Sequence, residues 1–298
     1  MFGILNINKP PGCTSRDVVN QVQRLLRGLG HGRGLKLGHA GTLDPLATGV
    51  LVVCIGPATR LISHVQQMPK QYVGTFLLGR QSDSYDVETP CRSLDDAPQP
   101  SLADLNAKLP AFLGVIEQTP PTYSAVKIAG RRAYDLARQG KTVEITPRPV
   151  TIHSLEITRY EYPELELSIR CGSGTYVRSL GHDLAVASGT DAVMAALTRT
   201  AIGAFTLKEA LAPEQLTAEN LAGQLLPAIR AVDHLPQVAL SDTEVAEIRQ
   251  GKRIDRGPQP GDCEIAAVEA TGELVALLES RGCWLAPKTV FMPPQAPC

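Results

Sequence analysis

The sequence has few aromatic residues and no cysteine spacing that indicates a structural site. Aromatic residues make up 4% of the 298 residues, with a single tryptophan. This scarcity excludes the extended stacking surfaces that bind single-stranded nucleic acid along its length. The seven cysteines are scattered and never in C-x-x-C spacing, so neither a disulfide framework nor a zinc site is indicated. We therefore expect free thiols in a reducing compartment and no metal.

Long apolar runs and a targeting segment are also missing. No apolar stretch approaches the length that spans a bilayer, and the first residues contain no basic region followed by an apolar one. Hydrophobic residues form 43% and charged residues 20% of the chain, which is typical of a globular protein with a full core. We expect a cytoplasmic protein with no membrane association, built from one large domain and one small one.

Charge is nearly balanced overall but uneven along the chain. The net charge is −1, yet residues 1–50 and residues 124–148 each carry six basic and two acidic side chains. Residues 236–298 carry six basic and nine acidic side chains, a net charge of −3. A phosphate backbone needs a local basic surface rather than a basic total. Each basic segment is therefore compatible with a solvated helix face and with an RNA-binding surface.

Hydrophobic periodicity predicts most of the secondary structure. Apolar residues at helical spacing follow a capping Thr14 or Ser15 and predict a helix that ends near Leu29. Continuous apolar or alternating runs predict strands at 50–55 and 72–78. Further predicted elements are a helix at 102–109, a hairpin of strands 151–160 and 165–171, helices at 178–187 and 191–198, and short β-runs at 237–240, 264–268, 274–278 and 284–285.

One loop carries a candidate catalytic group. The fourteen residues Gly38–Leu51, G-H-A-G-T-L-D-P-L-A-T-G-V-L, hold a single carboxylate, Asp44, between Gly41 and Gly49. Pro45 disfavours helical geometry at Asp44, and the glycines permit turn conformations that other residues resist. A bare L-D-P tripeptide is most often a turn whose Asp bonds its own backbone. The interpretation of Asp44 as a reactive group therefore depends on the whole string.

This string resembles the catalytic motif of the TruB-type tRNA pseudouridine-55 synthases. The resemblance extends in order over most of residues 4–206, whereas the related rRNA enzymes carry a different R-L-D motif. The other matching segments are N-K-P-P-G-C-T-S at 8–15, K-Q-Y at 70–72, T-P-P-T-Y-S-A-V-K at 119–127, G-T-Y-V-R-S-L at 174–180 and L-T-R-T-A-I-G at 197–203. One departure is S-D-S at 82–84, where the family usually has threonines. Since the two serines retain the hydroxyl groups of threonine, we expect this departure to have little functional consequence.

The resemblance implies roles for individual residues. Asp44 is implied as the nucleophile, Arg178 as the ionic partner that keeps it ionised, and Tyr72 as a ring and phenol against the extruded uracil. Taken singly, a strand tyrosine is more often core packing and an arginine at a helix start a surface charge. The implied substrate-binding residues are His39, which fills the gap left in the RNA, Leu197 and Val177 as apolar walls, and Lys9, Tyr123, Tyr176, Lys127, Arg131 and Arg132.

The resemblance also implies a fold. It is an α/β (α+β) architecture, the pseudouridine synthase fold, with a large mixed, mainly antiparallel sheet flanked by helices. Residues 1–230 are expected to form the catalytic domain, with an RNA-binding thumb insertion at about 120–148. Residues 231–298 are expected to form a small, β-rich, PUA-like domain.

The implied function is isomerisation of uridine 55 in the T-loop of tRNA to pseudouridine, by base flipping and attack by the aspartate, without metal or cofactor. The expected partner is the tRNA T-stem-loop, and the protein is expected to be a monomer with no obligatory protein partner. Two alternatives stay open. One is an RNA-guided relative that works inside a ribonucleoprotein, and the other is a tRNA-folding chaperone for which the chemistry is incidental.

Overall fold

The computed structural model describes residues 1–32, 34–123, 127–128, 131–132, 145–257 and 263–291. Its internal contacts divide the chain into two units. The first unit comprises Met1–Asp44, Val50–Gln66 and Ala204–Cys298, and the second comprises Pro45–Gly49 and Gln67–Gly203. Within the described ranges, no helix is both long enough and apolar enough to cross a bilayer.

The described helices are α1 (Ser15–Gly28), α2 (Ile62–Gln67), α3 (Leu102–Lys108), α4 (Val177–Ala187) and α5 (Asp242–Arg249). The described strands are β1 (Gly3–Lys9), β2 (Leu37–His39), β3 (Thr48–Ile55), β4 (Lys70–Leu78), β5 (Arg80–Gln81), β6 (Arg92–Ser93), β7 (Gly114–Gln118), β8 (Lys127–Ile128), β9 (Arg131–Arg132), β10 (Arg148–Glu161), β11 (Glu164–Cys171), β12 (Ala192–Ile202), β13 (Phe205–Thr206), β14 (Gln237–Ala239), β15 (Ile254–Asp255), β16 (Glu264–Val268), β17 (Leu274–Arg281) and β18 (Trp284–Val290).

Most of these strands belong to two sheets. The larger has nine strands in the order β1-β3-β12-β4-β11-β10-β7, with β13 paired to β12 and β2 paired to β3. Its pairing is antiparallel between β12, β4, β11, β10 and β7 and parallel between β12 and β3. The smaller sheet has the order β14-β16-β17-β18-β15. The expected fold, with its large mixed sheet and a β-rich C-terminal part, is confirmed.

In the first unit, α1 is capped by Thr14. The Thr14 side chain accepts a hydrogen bond from the backbone of Asp17, and the Asp17 side chain accepts one from Thr14 in return. This capping box satisfies two of the backbone groups that a helix start leaves unpaired. The apolar face of α1 is buried in one core cluster with side chains of β1 and β3: Leu5, Ile7, Val18, Val19, Val22, Leu26, Leu51, Val53 and Ile55. The predicted helix and the predicted buried strand at 50–55 are both confirmed.

The C-terminal part of this unit has its own apolar core. Side chains of α5 and of the five-stranded sheet form it, among them Val245, Ile248, Val275 and Leu278. Helix α5 begins after Ser241, which shares a capping box with the third helical residue. The predicted β-runs between 237 and 285 correspond to strands of this sheet.

In the second unit, α4 packs closely on β4. A side chain at Gly181 of α4 would place its Cβ 2.0 Å from the ring of Phe76 on β4. Only glycine therefore permits this approach of the helix to the sheet. The close contact fixes the height of α4 above β4, and with it the position of the first helical turn, where Arg178 lies.

The predicted helix at 191–198 is wrong, because these residues form most of β12. The segment A-V-M-A-A-L-T contains strong helix formers, and propensity alone favours a helix. It nevertheless lies between β3 and β4 in the interior of the large sheet. Residues 192–197 are all apolar, including the exposed Ala196, so the segment has no polar alternation and its pattern resembles that of a buried helix. Tertiary pairing decided the outcome here.

Candidate active site

The loop that carries Asp44 connects β2 to β3. After β2, the backbone N–H of Ala40 donates to the carbonyl of Val52 over 2.9 Å. Gly41 then has a φ of 103°, in the left-handed region that favours glycine. The chain therefore turns away from the sheet at Gly41. Asp44, three residues later, is half-buried rather than enclosed.

A buried serine fixes the residue before Asp44. Ser15, the first residue of α1, accepts a hydrogen bond from the Leu43 N–H at 2.9 Å and lies 3.2 Å from the Leu43 carbonyl, to which it donates. Both backbone groups of Leu43 are thus held by one hydroxyl. Sequence reasoning considered Ser15 only as a helix cap and missed this role, although Ser15 closes the matching segment at 8–15.

The far side of the loop is fixed against β12. The hydroxyls of Thr48 and Thr198 lie 2.9 Å apart in a hydrogen bond. Gly49 has a φ of 100°, and a Cβ there would lie 2.2 Å from the carbonyl oxygen of Arg199. No other residue fits at position 49 without moving β12. Along the chain, Asp44 therefore lies between two rigid backbone anchors.

Arg178 is buried and hydrogen-bonded at three acceptors. Its Nη1 donates to the Ser84 carbonyl at 2.9 Å and to Asp86 Oδ2 at 3.0 Å, and its Nη2 donates to the Tyr123 carbonyl at 3.1 Å. Only 7% of the arginine side chain is exposed, and the carboxylate of Asp86 is fully covered. The guanidinium plane is thus held by partners far away in sequence. The pairing of Arg178 with Asp44 stays a prediction.

Asp86 is the main residue that sequence reasoning missed. Its carboxylate accepts hydrogen bonds from the Ser84 hydroxyl at 2.5 Å and from the Glu88 N–H at 3.0 Å. The Ser82 hydroxyl donates to the Asp86 carbonyl at 2.6 Å. The S-D-S segment, seen in the sequence as a departure, thus uses both hydroxyls to hold Asp86. Asp83, between the two serines, is exposed.

Tyr72 of β4 and Leu197 of β12 lie on the face of the large sheet that α4 covers. Tyr72, Gly74 and Phe76 alternate along the strand and share one face. Leu197 of β12 pairs with Gly74, and its Cδ1 lies 3.4 Å from where a Cβ of that glycine would be. Phe76 contacts Gly181 of α4 on this same face. Tyr72 is half-buried and Leu197 buried.

The second unit brings further predicted residues to the start of α4. Tyr176 is the N-cap residue of the helix and Val177 its buried first residue. Tyr123 is linked to this turn by the hydrogen bond from Arg178 to its carbonyl. Three residues of the predicted pocket therefore adjoin the arginine. Their contact with substrate stays a prediction.

Lys9 and His39 lie in the first unit. Lys9 is fully buried, and its Nζ donates to the carbonyls of Pro10 at 2.8 Å and Cys13 at 2.7 Å. The observed role of Lys9 is therefore to hold the turn that leads into α1. His39 ends β2 and is half-buried. The contacts that these two residues make with substrate stay predictions.

The predicted basic residues of the thumb lie on a short hairpin. Lys127 belongs to β8 and pairs with Arg132 of β9, and Arg131 is the other residue of β9. The side chains of these three residues lie outside what the structure describes, as do residues 124–126, 129–130 and 133–144.

Lys70 is a buried cation on the same strand as Tyr72. Its Nζ donates to the Met68 carbonyl at 2.6 Å. Burial, reinforced by the positive charge of Arg199, lowers the pKa of Lys70 to about 8. Among the described residues, no group of three or more His, Cys, Asp or Glu side chains is placed to hold a metal ion.

Comparison with known proteins gives consistent matches. Residues 29–177 match the N-terminal domain of the TruB family pseudouridylate synthases. A tRNA pseudouridine synthase B of Rhodopirellula baltica is 42% identical over 267 residues, which cover 87% of this chain and 77% of the relative. One of Dehalococcoides mccartyi is 41% identical over 300 residues, which cover 99% and 98%. The solved structure of an H/ACA RNP bound to a substrate RNA containing 2'-deoxyuridine aligns with a TM-score of 0.74 at 24% identity, covering 99% of this chain and 86% of that one.

Proposed function

Since the chain belongs to the TruB family of pseudouridylate synthases, we propose that its reaction is the isomerisation of uridine 55 in the T-loop of tRNA. The observation that carries the choice of tRNA is the 41% identity, over 99% of this chain, to a bacterial tRNA pseudouridine synthase B. The intact Gly38–Leu51 string, with Asp44 between its two backbone anchors, supports the same proposal from the residues.

The reaction sets the requirements on the site. The bond between N1 and C1′ breaks, the uracil turns, and a bond forms between C5 and C1′. C5 loses its proton and N1 gains one, so the product has the same atoms as the substrate and no co-reactant is consumed. The protein has to supply a carboxylate, proton transfer, a water-excluding pocket and a place for a base that has left its stack.

Asp44 is proposed as the group that attacks the flipped nucleotide. Its backbone is held through Leu43 on one side and through Thr48 and Gly49 on the other. Its half-buried side chain leaves the carboxylate reachable. A nucleophile held in this way loses little entropy when the substrate arrives.

Arg178 is proposed as the ionic partner of Asp44. An adjacent guanidinium favours the ionised carboxylate and keeps it nucleophilic. Asp86 serves as a positioning residue, because its contact with Nη1 fixes one edge of the guanidinium. The Tyr123 carbonyl fixes Nη2 in the same way.

The pocket for the extruded uracil is proposed to lie on the α4-covered face of β4. Tyr72 offers its ring to the base and its hydroxyl to the proton that moves. Leu197 and Val177 are proposed as apolar walls, with Tyr176 beside them. His39 is proposed to occupy the gap that the flipped base leaves in the RNA.

The RNA-binding surface is proposed to include the thumb insertion at about 120–148 with Lys127, Arg131 and Arg132. We retain residues 1–230 as a catalytic domain and 231–298 as a PUA-like domain, which the five-stranded C-terminal sheet supports. The enzyme is proposed to act as a monomer without metal, cofactor or protein partner.

The alternative of an RNA-guided enzyme is less well supported. The RNP structure aligns with this chain at 24% identity, against 41–42% for the bacterial tRNA enzymes. The chaperone alternative is separable by experiment, because a variant that lacks the Asp44 carboxylate would retain tRNA folding activity while losing isomerisation.

The proposal is tested by incubating the purified protein with an unmodified T-arm stem-loop, without guide RNA and in the presence of a metal chelator. We expect pseudouridine at the position that corresponds to uridine 55. A requirement for a guide RNA would support the RNP alternative instead. Absence of product both with and without a guide RNA would contradict the proposed function.

A further inference from the structure

Gln118 holds both backbone groups of Tyr176. It is the last residue of β7 and is 1% exposed. Its Nε2 donates to the Tyr176 carbonyl at 3.0 Å, and its Oε1 accepts from the Tyr176 N–H at 2.7 Å. A carboxamide is the side chain that offers one donor and one acceptor at this spacing. One buried side chain thus bonds both backbone groups of the N-cap residue of α4.

Arg148 contacts the ring of the same tyrosine. It is the first residue of β10 and pairs with Gln118 across the β7–β10 ladder. Its Nη2 donates to the Gly174 carbonyl at 2.7 Å, and its guanidinium carbon lies 5.1 Å from the centre of the Tyr176 ring. We name the pair of Gln118 and Arg148 the Tyr176 clamp.

The two clamp residues flank the thumb insertion along the chain. Gln118 lies just before it and Arg148 at its end. Two further hydrogen bonds continue the connection on the entering side, from the Ser179 hydroxyl to the Thr119 carbonyl at 3.0 Å and from Arg178 Nη2 to the Tyr123 carbonyl at 3.1 Å. The segment that enters the insertion is therefore bonded repeatedly to the first turn of α4.

We infer that Gln118 and Arg148 are positioning residues for the isomerisation: they hold the backbone and the ring of Tyr176 and, through the start of α4, the Arg178 guanidinium. This inference rests on the proposed function. The Tyr176 carbonyl also accepts from the Leu180 N–H at 3.1 Å, so the backbone group that depends on Gln118 is the Tyr176 N–H. Loss of the Gln118 Oε1 leaves that N–H without this acceptor. The peptide then shifts, and the next two residues, Val177 and Arg178, shift with it.

The first test replaces Gln118 with leucine and measures the single-turnover rate at saturating T-arm RNA. A displacement of about 1 Å in a catalytic group lowers a rate by on the order of 10²-fold, and we expect a loss of that size. RNA affinity is expected to stay near that of the wild type. The matched control is Gln21→Leu on α1, which removes a side-chain hydrogen bond of 3.1 Å to the Pro213 carbonyl and should leave the rate unchanged.

The second test uses Gln118→Glu and the pH dependence of the rate. When its carboxyl is ionised, this variant accepts from the Tyr176 N–H but places a second negative oxygen against the Tyr176 carbonyl. When protonated, the carboxyl supplies one donor and one acceptor, as the amide does. Burial raises the pKa of such a carboxyl, so we expect the variant to regain activity relative to wild type as the pH falls. A pH profile parallel to that of the wild type would contradict the inference.

Arg148 is tested by a pair of substitutions. Lysine keeps the positive charge and a donor for the Gly174 carbonyl but lacks the planar face over the ring, whereas alanine removes both. We expect Arg148→Ala to lower the single-turnover rate and Arg148→Lys to restore part of it. Equal rates for both variants and the wild type would remove Arg148 from the clamp.

Hydrogen exchange at the Tyr176 amide separates this inference from the proposed function. We expect faster deuterium uptake there in Gln118→Leu and wild-type uptake in Gln21→Leu. If the wild type makes no pseudouridine, the proposed function fails while the exchange data still test the clamp. If Gln118→Leu turns over like wild type, or loses only RNA affinity, the positioning role is overturned.

Discussion

The two charged residues at the centre of the proposed chemistry are held in opposite ways. Asp44 is fixed through the backbone on both sides of it, while its carboxylate is half-buried. Arg178 is fixed through its side chain, which is buried and donates to Ser84, Asp86 and Tyr123. The Asp44 carboxylate is therefore able to react, whereas the orientation of the Arg178 guanidinium is fixed.

This difference has an energetic consequence. Replacing the half-buried Asp44 leaves Arg178 with its buried partner Asp86. Breaking a buried ion pair leaves an uncompensated charge in the interior and is strongly destabilising. Substitutions at the two places should therefore be distinguishable by unfolding as well as by activity.

The largest expected effect is at Asp44. Asp44→Asn should abolish pseudouridine formation, because an amide is a poor nucleophile and does not pair ionically with Arg178. Arg178 keeps the Asp86 carboxylate in this variant, so the free energy of unfolding should fall less than in Asp86→Asn, and tRNA affinity should stay close to that of the wild type. Measurable turnover by the pure variant would contradict the assignment, and a large loss of stability would remove the contrast with Arg178.

The next effect is at Tyr72, a half-buried group like Asp44. Tyr72→Phe keeps the ring, so it should bind T-arm RNA normally, but loss of the hydroxyl should slow turnover by on the order of 10²- to 10⁴-fold. Tyr72→Leu should also lose stacking worth about 1–3 kcal/mol. A fluorescent base analogue at the target position reports flipping, and single-turnover kinetics report chemistry. Wild-type turnover by both variants would make Tyr72 a core residue.

The buried pair should respond in both activity and stability. Asp86→Asn removes the charge that compensates Arg178 and should lower the free energy of unfolding by about 3 kcal/mol, together with turnover by on the order of 10²-fold. The matched control is Asp83→Asn, because Asp83 is exposed only three residues away. Urea unfolding of both variants measures the difference. Equal free energies of unfolding for Asp86→Asn and Asp83→Asn would contradict the proposed contribution of the ion pair to stability.

A smaller effect concerns another buried cation, Lys70. Burial and the charge of Arg199 lower its pKa to about 8, below the ~10.4 of an unfolded lysine. Between these values the unfolded chain binds more protons than the native state, so the free energy of unfolding should rise with pH. Lys70→Met should remove this rise, and the exposed Lys208→Met should not. Urea unfolding at pH 8 and pH 10 measures the change. An equal rise in the free energy of unfolding for the wild type and Lys70→Met would contradict the account.

The Asp44 loop could be predicted from sequence because it is contiguous. Its glycines, its proline and its carboxylate lie within fourteen residues, and the buried strand follows directly. The α1 cap and the strand at 50–55 were predictable for the same reason, since caps and apolar runs are local patterns. The resemblance of the neighbouring motifs supplied the fold.

The surroundings of Arg178 could not be predicted in this way. Asp86 is 92 residues from Arg178 in sequence, and Gln118 is 58 residues from Tyr176. Such pairs depend on which strands become neighbours, and hydrophobic periodicity carries no information about that. The wrong helix at 191–198 has the same origin: residues 192–197 are all apolar, even at the exposed Ala196, so the alternation that marks a strand is missing and only the pairing with neighbouring strands decides the structure.

The central claim, that this chain isomerises uridine 55 of tRNA, is tested most directly by mapping pseudouridine in a full-length unmodified tRNA transcript. The account predicts one pseudouridine, at position 55, after incubation with wild-type protein alone. It predicts none when that uridine is replaced by cytidine. Modification at another position with uridine 55 intact, or no modification by a folded protein that binds the transcript, would contradict it.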